Sequence, residues 1–271
     1  GAPGEDAGAT ADAGGVTYLP GSGGGLATAG SRLYAQGAGG VGGTAERGDR
    51  FGAVLEAGQA NAGGPADLVV GAPSEAVGQA AGSGAVSVLY GAAGGPSGTG
   101  DLLLFQGGGG LPDEPEAGDG FGSALAVGQL DGDGFADLAV GIPGEEYFAS
   151  ADIGDVILVH GTAGGLSGAG GQSLILNSGV GSNEAGDRIG SALAARDFDD
   201  DGAGDLAVGM PGEDIGTSFR DAGAIAYHQG PVLSGNRTES RPLHADSTGV
   251  PGAAEPGDRF GSALGPGPLG G

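Results

Sequence analysis

Short apolar runs recur along the chain between connectors rich in glycine, alanine, serine and aspartate. Leu138-Ala-Val-Gly and Val156-Ile-Leu-Val are apolar almost without interruption, which fits strands of a sheet covered on both faces better than strands with one wet face. Around them the pattern predicts four strands, over 121–128, 136–142, 155–160 and 173–176, each only several residues long, as strands usually are. Upstream, 14–21 and 31–37 read as two short strands on either side of a Gly/Ser/Ala turn. Pro73, Pro143 and Pro211 fall where strands should end, so their missing N–H groups break no ladder bond.

The same frame returns. Phe51, Phe121, Ile189 and Phe260, spaced 70, 68 and 71 residues apart, each lie in a Gly-Asp-x-(Phe or Ile)-Gly box, and Gly1-Ala-Pro, Gly71-Ala-Pro, Gly141-Ile-Pro and Gly209-Met-Pro keep the same rhythm. A period of that length holds a whole supersecondary unit. The units run over 1–46 (partial), 47–116, 117–185, 186–255 and 256–271 (the start of another). Four short antiparallel strands per unit is the pattern of a propeller blade, with small residues such as Ala124, Ala126 and Ala194 suiting the crowded centre. The expected fold is therefore all-β. The last unit's loop should begin at Pro268, and joining the end to the beginning still lacks the strand before Gly1, so the expectation is a fragment of a larger propeller.

Between the first two strands of the third full unit lies Asp197-Phe-Asp-Asp-Asp-Gly-Ala-Gly-Asp205. Asp197, Asp199, Asp201 and Asp205 take positions 1, 3, 5 and 9, Gly202 permits a sharp turn at position 6, and Ala203 offers its carbonyl at position 7. Oxygen ligands on alternate residues suit calcium, which takes six to eight of them in irregular geometry; without an ion the four carboxylates repel one another. The second unit repeats the loop with Gln129 at position 1, followed by Asp131, Asp133, Phe135 and Asp137; an amide oxygen ligates without bringing charge, so weaker calcium binding is expected there. The first loop, Gln59 to Asp67, keeps one carboxylate and reads as an ordinary turn. An EF-hand is excluded, because its twelfth position is Val208 and a strand follows. Read only as an ion ligand, Asp205 should be dispensable in chelator.

Composition narrows the function. Nine basic residues against 34 acidic ones give a formal charge of −25, which argues against nucleic acid as a partner. Glycine, at 68 residues, is far above its usual ~7%, yet no Gly-X-Y period exists and collagen is excluded. There is no cysteine, so bound ions are a natural substitute for disulfide crosslinks. No apolar run is long enough to span a membrane. Without lysine there is no P-loop, and without a G-x-S-x-G elbow or an unexplained acid pair no catalytic set can be argued. His160 occupies the repeat slot held by Pro20, Tyr90 and Gln229 and reads as a strand-end residue. Arg47-Gly-Asp49 spells a recognition tripeptide, but the recurring Gly-Asp of the box explains it. Asn236-Arg-Thr238 is a glycosylation sequon.

The Phe-Gly boxes, the Gly-Ala-Pro boxes and the Asp-rich loops between them resemble the FG-GAP repeats of the seven-bladed propeller in integrin alpha subunits and many secreted bacterial proteins. The resemblance implies calcium (Ca2+) in the loop between first and second strands, an extracellular, secreted or cell-surface setting, and a non-enzymatic structural, adhesion or ligand-binding role toward an extracellular protein or surface polymer. The alternative is an accessory propeller of a secreted phospholipase- or protease-type hydrolase whose catalytic domain lies elsewhere. Opposite the calcium loops the topology gathers Glu5, Asp6, Glu75, Glu145, Glu146, Glu213 and Asp214 with Asp113, Glu114, Glu116, Glu184 and Glu255. That face is expected to be strongly negative, as a solvated rim or as a dock for a cationic partner.

Overall fold

The computed structural model describes residues 1–147, 150–174, 183–234 and 241–265. It opens with β1 (Val16–Tyr18) paired to β4 (Arg32–Tyr34), with the small hairpin of β2 (Gly21–Ser22) and β3 (Gly25–Leu26) between them. Three four-stranded antiparallel sheets follow, each with its strands adjacent in chain order. The first holds β5 (Val54–Gly58), β6 (Asp67–Ala72), β7 (Ala85–Ala92) and β8 (Gly95–Leu104). The second holds β9 (Ala124–Gly128), β10 (Asp137–Ile142), β11 (Asp155–His160) and β12 (Ser167–Ser173). The third holds β13 (Ala192–Arg196), β14 (Asp205–Met210), β15 (Ala224–His228) and β16 (Arg241–Leu243). Among the described residues the only helical element is one 3-10 turn, Val232–Ser234. The fold is all-β, and the sheets are propeller blades.

The second strands end one residue before Pro73, Pro143 and Pro211, as the missing N–H groups require. The fourth strand of the second blade begins earlier than the expected 173–176, running over Ser167–Ser173 among the described residues. Its sequence, Ser-Gly-Ala-Gly-Gly-Gln-Ser, carries no apolar alternation because the outermost strand buries little, and periodicity could not mark it. Positions 175–176, the sequon at 236–238 and Pro268 lie outside the described residues.

Stacking explains the continuous apolar runs. Leu138, Val140, Ile157 and Val159 share a core with Val69, Val86 and Val88 of the first blade. Their alternates Ala139, Val156 and Leu158 share a core with Leu206, Val208, Ala224 and Ala226 of the third. With a side-chain period of two, both faces of β10 and β11 are thus sunk between neighbours, each buried Val, Leu or Ile contributing roughly 1.5–3 kcal/mol. The first strands line a common central cleft of about 280 Å³, with Leu55, Ala124, Ala126, Ala194 and Leu264 on its walls. Gly128 shows how tight that centre is, since a Cβ there would lie 2.9 Å from the Ala195 Cβ.

The two repeated boxes are the two halves of one joint. Within a unit, the second box glycine donates its N–H to the Gly-x-Pro glycine: Gly52 to Gly71 O at 3.0 Å, Gly122 to Gly141 O at 3.2 Å, Gly190 to Gly209 O at 3.1 Å. Across the joint, a Cβ on Gly1, Gly71, Gly141 or Gly209 would lie 1.9, 2.4, 2.0 or 2.0 Å from the carbonyl oxygen of Gly52, Gly122, Gly190 or Gly261 in the next unit. No side chain fits there. The box also latches backward: Phe51, Phe121, Ile189 and Phe260 donate their N–H groups to Ala13, Ser83, Ile153 and Ala222 of the preceding blade at 2.8–2.9 Å, and Phe51, Phe121 and Ile189 are at most 1% exposed.

The joint predicts its own failure. Gly141→Ala should destabilise by roughly 2–3 kcal/mol, lowering Tm by about 5–10 °C, whereas Gly23→Ala, with nothing near its Cβ position, should stay within about 0.5 kcal/mol of the parent. Thermal melts of the two variants in the same buffer check this; equal melting temperatures would show that the glycine contact is slack.

Candidate metal centre

The loops from first to second strand wind on their own carboxylates. In the third blade Asp197 accepts the N–H groups of Asp201 (3.1 Å) and Gly202 (2.9 Å), and Gly202 turns at φ 92°, a conformation glycine adopts without strain. Asp201 accepts the N–H of Ala203 at 2.8 Å. The second blade repeats the turn in part: Gln129 accepts from Gly134 at 3.1 Å and Asp133 from Phe135 at 2.8 Å, while the Asp133 N–H goes to Asp131 at 2.9 Å. Gln129 therefore keeps the loop-winding bond to position 6 without the charge of Asp197 or its bond to position 5.

The structure brings Asp197, Asp199 and Asp205 together, each with a carboxylate oxygen within 4.8 Å of the others, and in the second blade it gathers Asp131, Asp137 and His160 likewise. Asp201 and Asp133, at position 5, are absent from these convergent sets; each is turned toward the N–H of position 7 instead. Burial pushes the Asp137 carboxyl up to about 6; the N–H groups of Gly161 and Leu130 pull it back, and the charges of Asp131 and Asp133 add to the rise. The Tyr227 hydroxyl is pushed up by burial and by its bond to Asp205 beside the charges of Asp199 and Asp201. Each centre is a concentrated negative field, which a hard cation would relieve.

Asp67, Asp137 and Asp205, at position 9, do something the sequence did not reveal. Each is at most 1% exposed. Asp205 accepts from Phe198 N (2.8 Å), Tyr227 OH (2.8 Å) and Gly230 N (2.7 Å). Asp137 accepts from Leu130 N and Gly161 N, both at 2.8 Å, and Asp67 from Ala60 N (2.8 Å) and Gly91 N (2.7 Å). The carboxylate thus ties the first loop to the hairpin between third and fourth strands, and the first blade keeps it although its loop has lost the other acids. Asp205 thus has partners in the fold itself, which ligand spacing alone does not show.

His160 is the last residue of β11, the strand-end place expected of it. Its Nδ1 lies 3.3 Å from Asp131 Oδ2, and in the same repeat slot Gln229 donates its amide to Asp199. The signal was the slot itself: antiparallel pairing of second and third strands puts the end of the third beside the start of the second. Arg47-Gly-Asp49, by contrast, has its carboxylate indoors. Asp49 is 2% exposed and accepts the N–H of Glu46.

Comparison with known proteins falls on this frame. The model of the FG-GAP repeat family matches residues 121–156, from the Phe121 box through the second metal loop to the start of β11. Over that stretch the chain carries an FG-GAP repeat. It is 36% identical over 110 residues to phosphatidylinositol-glycan-specific phospholipase D of Mus musculus, covering 40% of this chain and 13% of that protein. Integrin alpha-3 of Mus musculus is 32% identical over 138 residues, covering 49% of this chain and 12% of the integrin. The FG-GAP chain thus matches about an eighth of either relative's length. No helix among its described residues is long and apolar enough to cross a membrane.

In chelator, Asp205→Ala strands two backbone N–H groups and a tyrosine hydroxyl, so the FG-GAP protein should lose roughly 2–4 kcal/mol even without metal. Asp199→Ala, at an exposed residue, should cost less than about 1 kcal/mol there. Chelator-phase denaturant titrations of both variants check this; equal losses would refute the structural role of position 9.

Proposed function

We propose that this FG-GAP module is an extracellular calcium-binding propeller with a structural, adhesion or ligand-binding role and no catalytic group of its own. The observation that carries the calcium reading is the convergence of Asp197, Asp199 and Asp205 on one point, with the same frame repeated at Asp131 and Asp137. Asp201, Asp133, Gln129 and the carbonyls of Ala203 and Phe135 stand in the loops to complete an oxygen-rich shell, and His160 offers the second site a nitrogen. An ion there would crosslink the first loop to the hairpin that position 9 already holds, in a chain with no cysteine.

Similarity to phosphatidylinositol-glycan-specific phospholipase D favours one second reading, an accessory propeller beside a hydrolase domain. A hydrolase motif in flanking sequence would decide for it, and a membrane or wall anchor for adhesion. The partner in either case is proposed to be an extracellular protein or surface polymer.

Calorimetric titration of the chelator-stripped protein should count two calcium sites with affinities on the order of 10⁻⁴ to 10⁻³ M, the range of extracellular calcium modules. Asp199→Ala should remove the tighter site and leave the weaker. A count of zero in the parent would end the calcium reading.

A further inference from the structure

The acidic face opposite the metal loops is not all surface. Glu145 and Glu213 are each 2% exposed, and Asp49, Asp119 and Asp187 of the boxes no more than that. Each pair stands at a blade joint. At the second, the Gln106 amide, just past β8 of the first blade, donates to Glu145 at 2.6 Å, while Asp119 accepts the N–H of Glu116 at 2.6 Å and its backbone carbonyl takes the Gly144 N–H at 3.0 Å. The first joint repeats this with Gln36 donating to Glu75 at 2.6 Å, and the third places Glu213 beside Asp187.

These joints hold too many acceptors. Gln36 Oε1, Gln106 Oε1 and Asp119 Oδ1 are buried with no hydrogen-bond partner, and an unpaired buried polar atom is costly. At the first joint the buried Asp49 stands beside Glu75, which is half-buried. The groups that face the pairs offer no relief. Glu75 feels Asp49 and Glu46; Glu145 feels Asp113, Asp119 and Asp155; Glu213 feels Asp187, Glu184 and Asp214. Asp119 is faced by Glu116, Asp113 and Glu146, and Asp187 by Glu184, Asp214 and Asp221. Tyr147, near Glu145, donates to Asp155 at 2.9 Å.

We propose that the acid groups of Asp49 and Glu75, of Asp119 and Glu145, and of Asp187 and Glu213 each hold one proton at neutral pH, and that these protons fasten the blade joints, so that the propeller loosens as they are lost in alkali. A single proton supplies a donor where only acceptors meet and removes half of the buried charge, and it needs no cavity. Burial, as the largest cause, pushes Glu75 up to about 7 and Glu145 and Glu213 up to about 8, from an ordinary 4.5. The folded state then holds protons that the unfolded chain has released, so stability present at low pH is lost as pH rises through those values. The buried Asp137 and Asp155 titrate lower, at about 6, and leave the window above to the glutamates.

Thermal melts in chelator, between about pH 6.5 and 9, test this independently of calcium. Tm of the parent should fall by roughly 5 °C or more across the window. Glu75→Gln, Glu145→Gln and Glu213→Gln together, each a neutral mimic of the protonated acid, should flatten the profile and hold the higher Tm at the alkaline end. Glu5→Gln and Glu114→Gln, both exposed, should leave the slope unchanged. Carbon-13 NMR titration of the parent's glutamate carboxyls gives a readout that needs no variant to fold, with resonances still protonated at pH 7 expected. A parent Tm that is flat or rises through the window, or no carboxyl titrating above pH 6.5, would overturn the proposal.

Discussion

The fold hangs on one backbone approach. The glycine that ends each second strand accepts a hydrogen bond from its own unit's box and abuts the box carbonyl of the next unit, closer than any Cβ could allow. Because the box is also latched to the preceding blade through the N–H of its Phe or Ile, each box touches two blades at once. That fixes the separation of neighbouring sheets, and the separation decides which side chains fill the space. Bulky Leu, Val and Ile in β10 and β11 meet their counterparts across the gap, while the first strands, crowded at the centre, take alanine.

Stability and metal chemistry share an atom set at position 9. The carboxylate that closes each first loop onto the neighbouring hairpin is buried and satisfied by backbone donors in all three blades, so the loop is preformed without an ion. Preorganisation lowers the ordering cost of binding. It also explains why the loops diverge so freely at their other positions: Asp67 survives in a loop with no other acid because its first duty is to the fold, and Gln129 can replace an aspartate because the winding bond to Gly134 needs an acceptor, not a charge.

The repeat made most of the architecture legible. Box spacing, strand ends at Pro73, Pro143 and Pro211, and the doubly apolar runs at 138–141 and 156–159 all state local facts that the blades obey. What was illegible has two physical sources. Outer strands such as β12 are built of glycine and serine and bury too little to leave a pattern. Side-chain contacts between strands leave no mark in the spacing, so the tie from Asp205 to Tyr227 and Gly230 within one blade, and the inward turn of Glu145 and Glu213 at the joints, could not be read from the chain alone. The acidic face seemed uniform on paper because charge was counted per loop. In space it splits into an exposed rim, with Glu114, Glu116 and Glu146 in water, and an inner row that has none.

That split separates two uses of the same residue type. The rim acids lie in water, add to the negative potential of that face and suit either solubility or a cationic partner. The inner acids cannot all stay charged, since desolvation and each other's fields act in the same direction and the joint supplies amides and backbone N–H groups in too small a number. Metal loops and joints are thus opposite solutions to one problem, a chain with far more acid than base. On one face carboxylates are held open on a preformed loop where a cation can enter; on the other they are closed inside a glycine-tight joint where only a proton can.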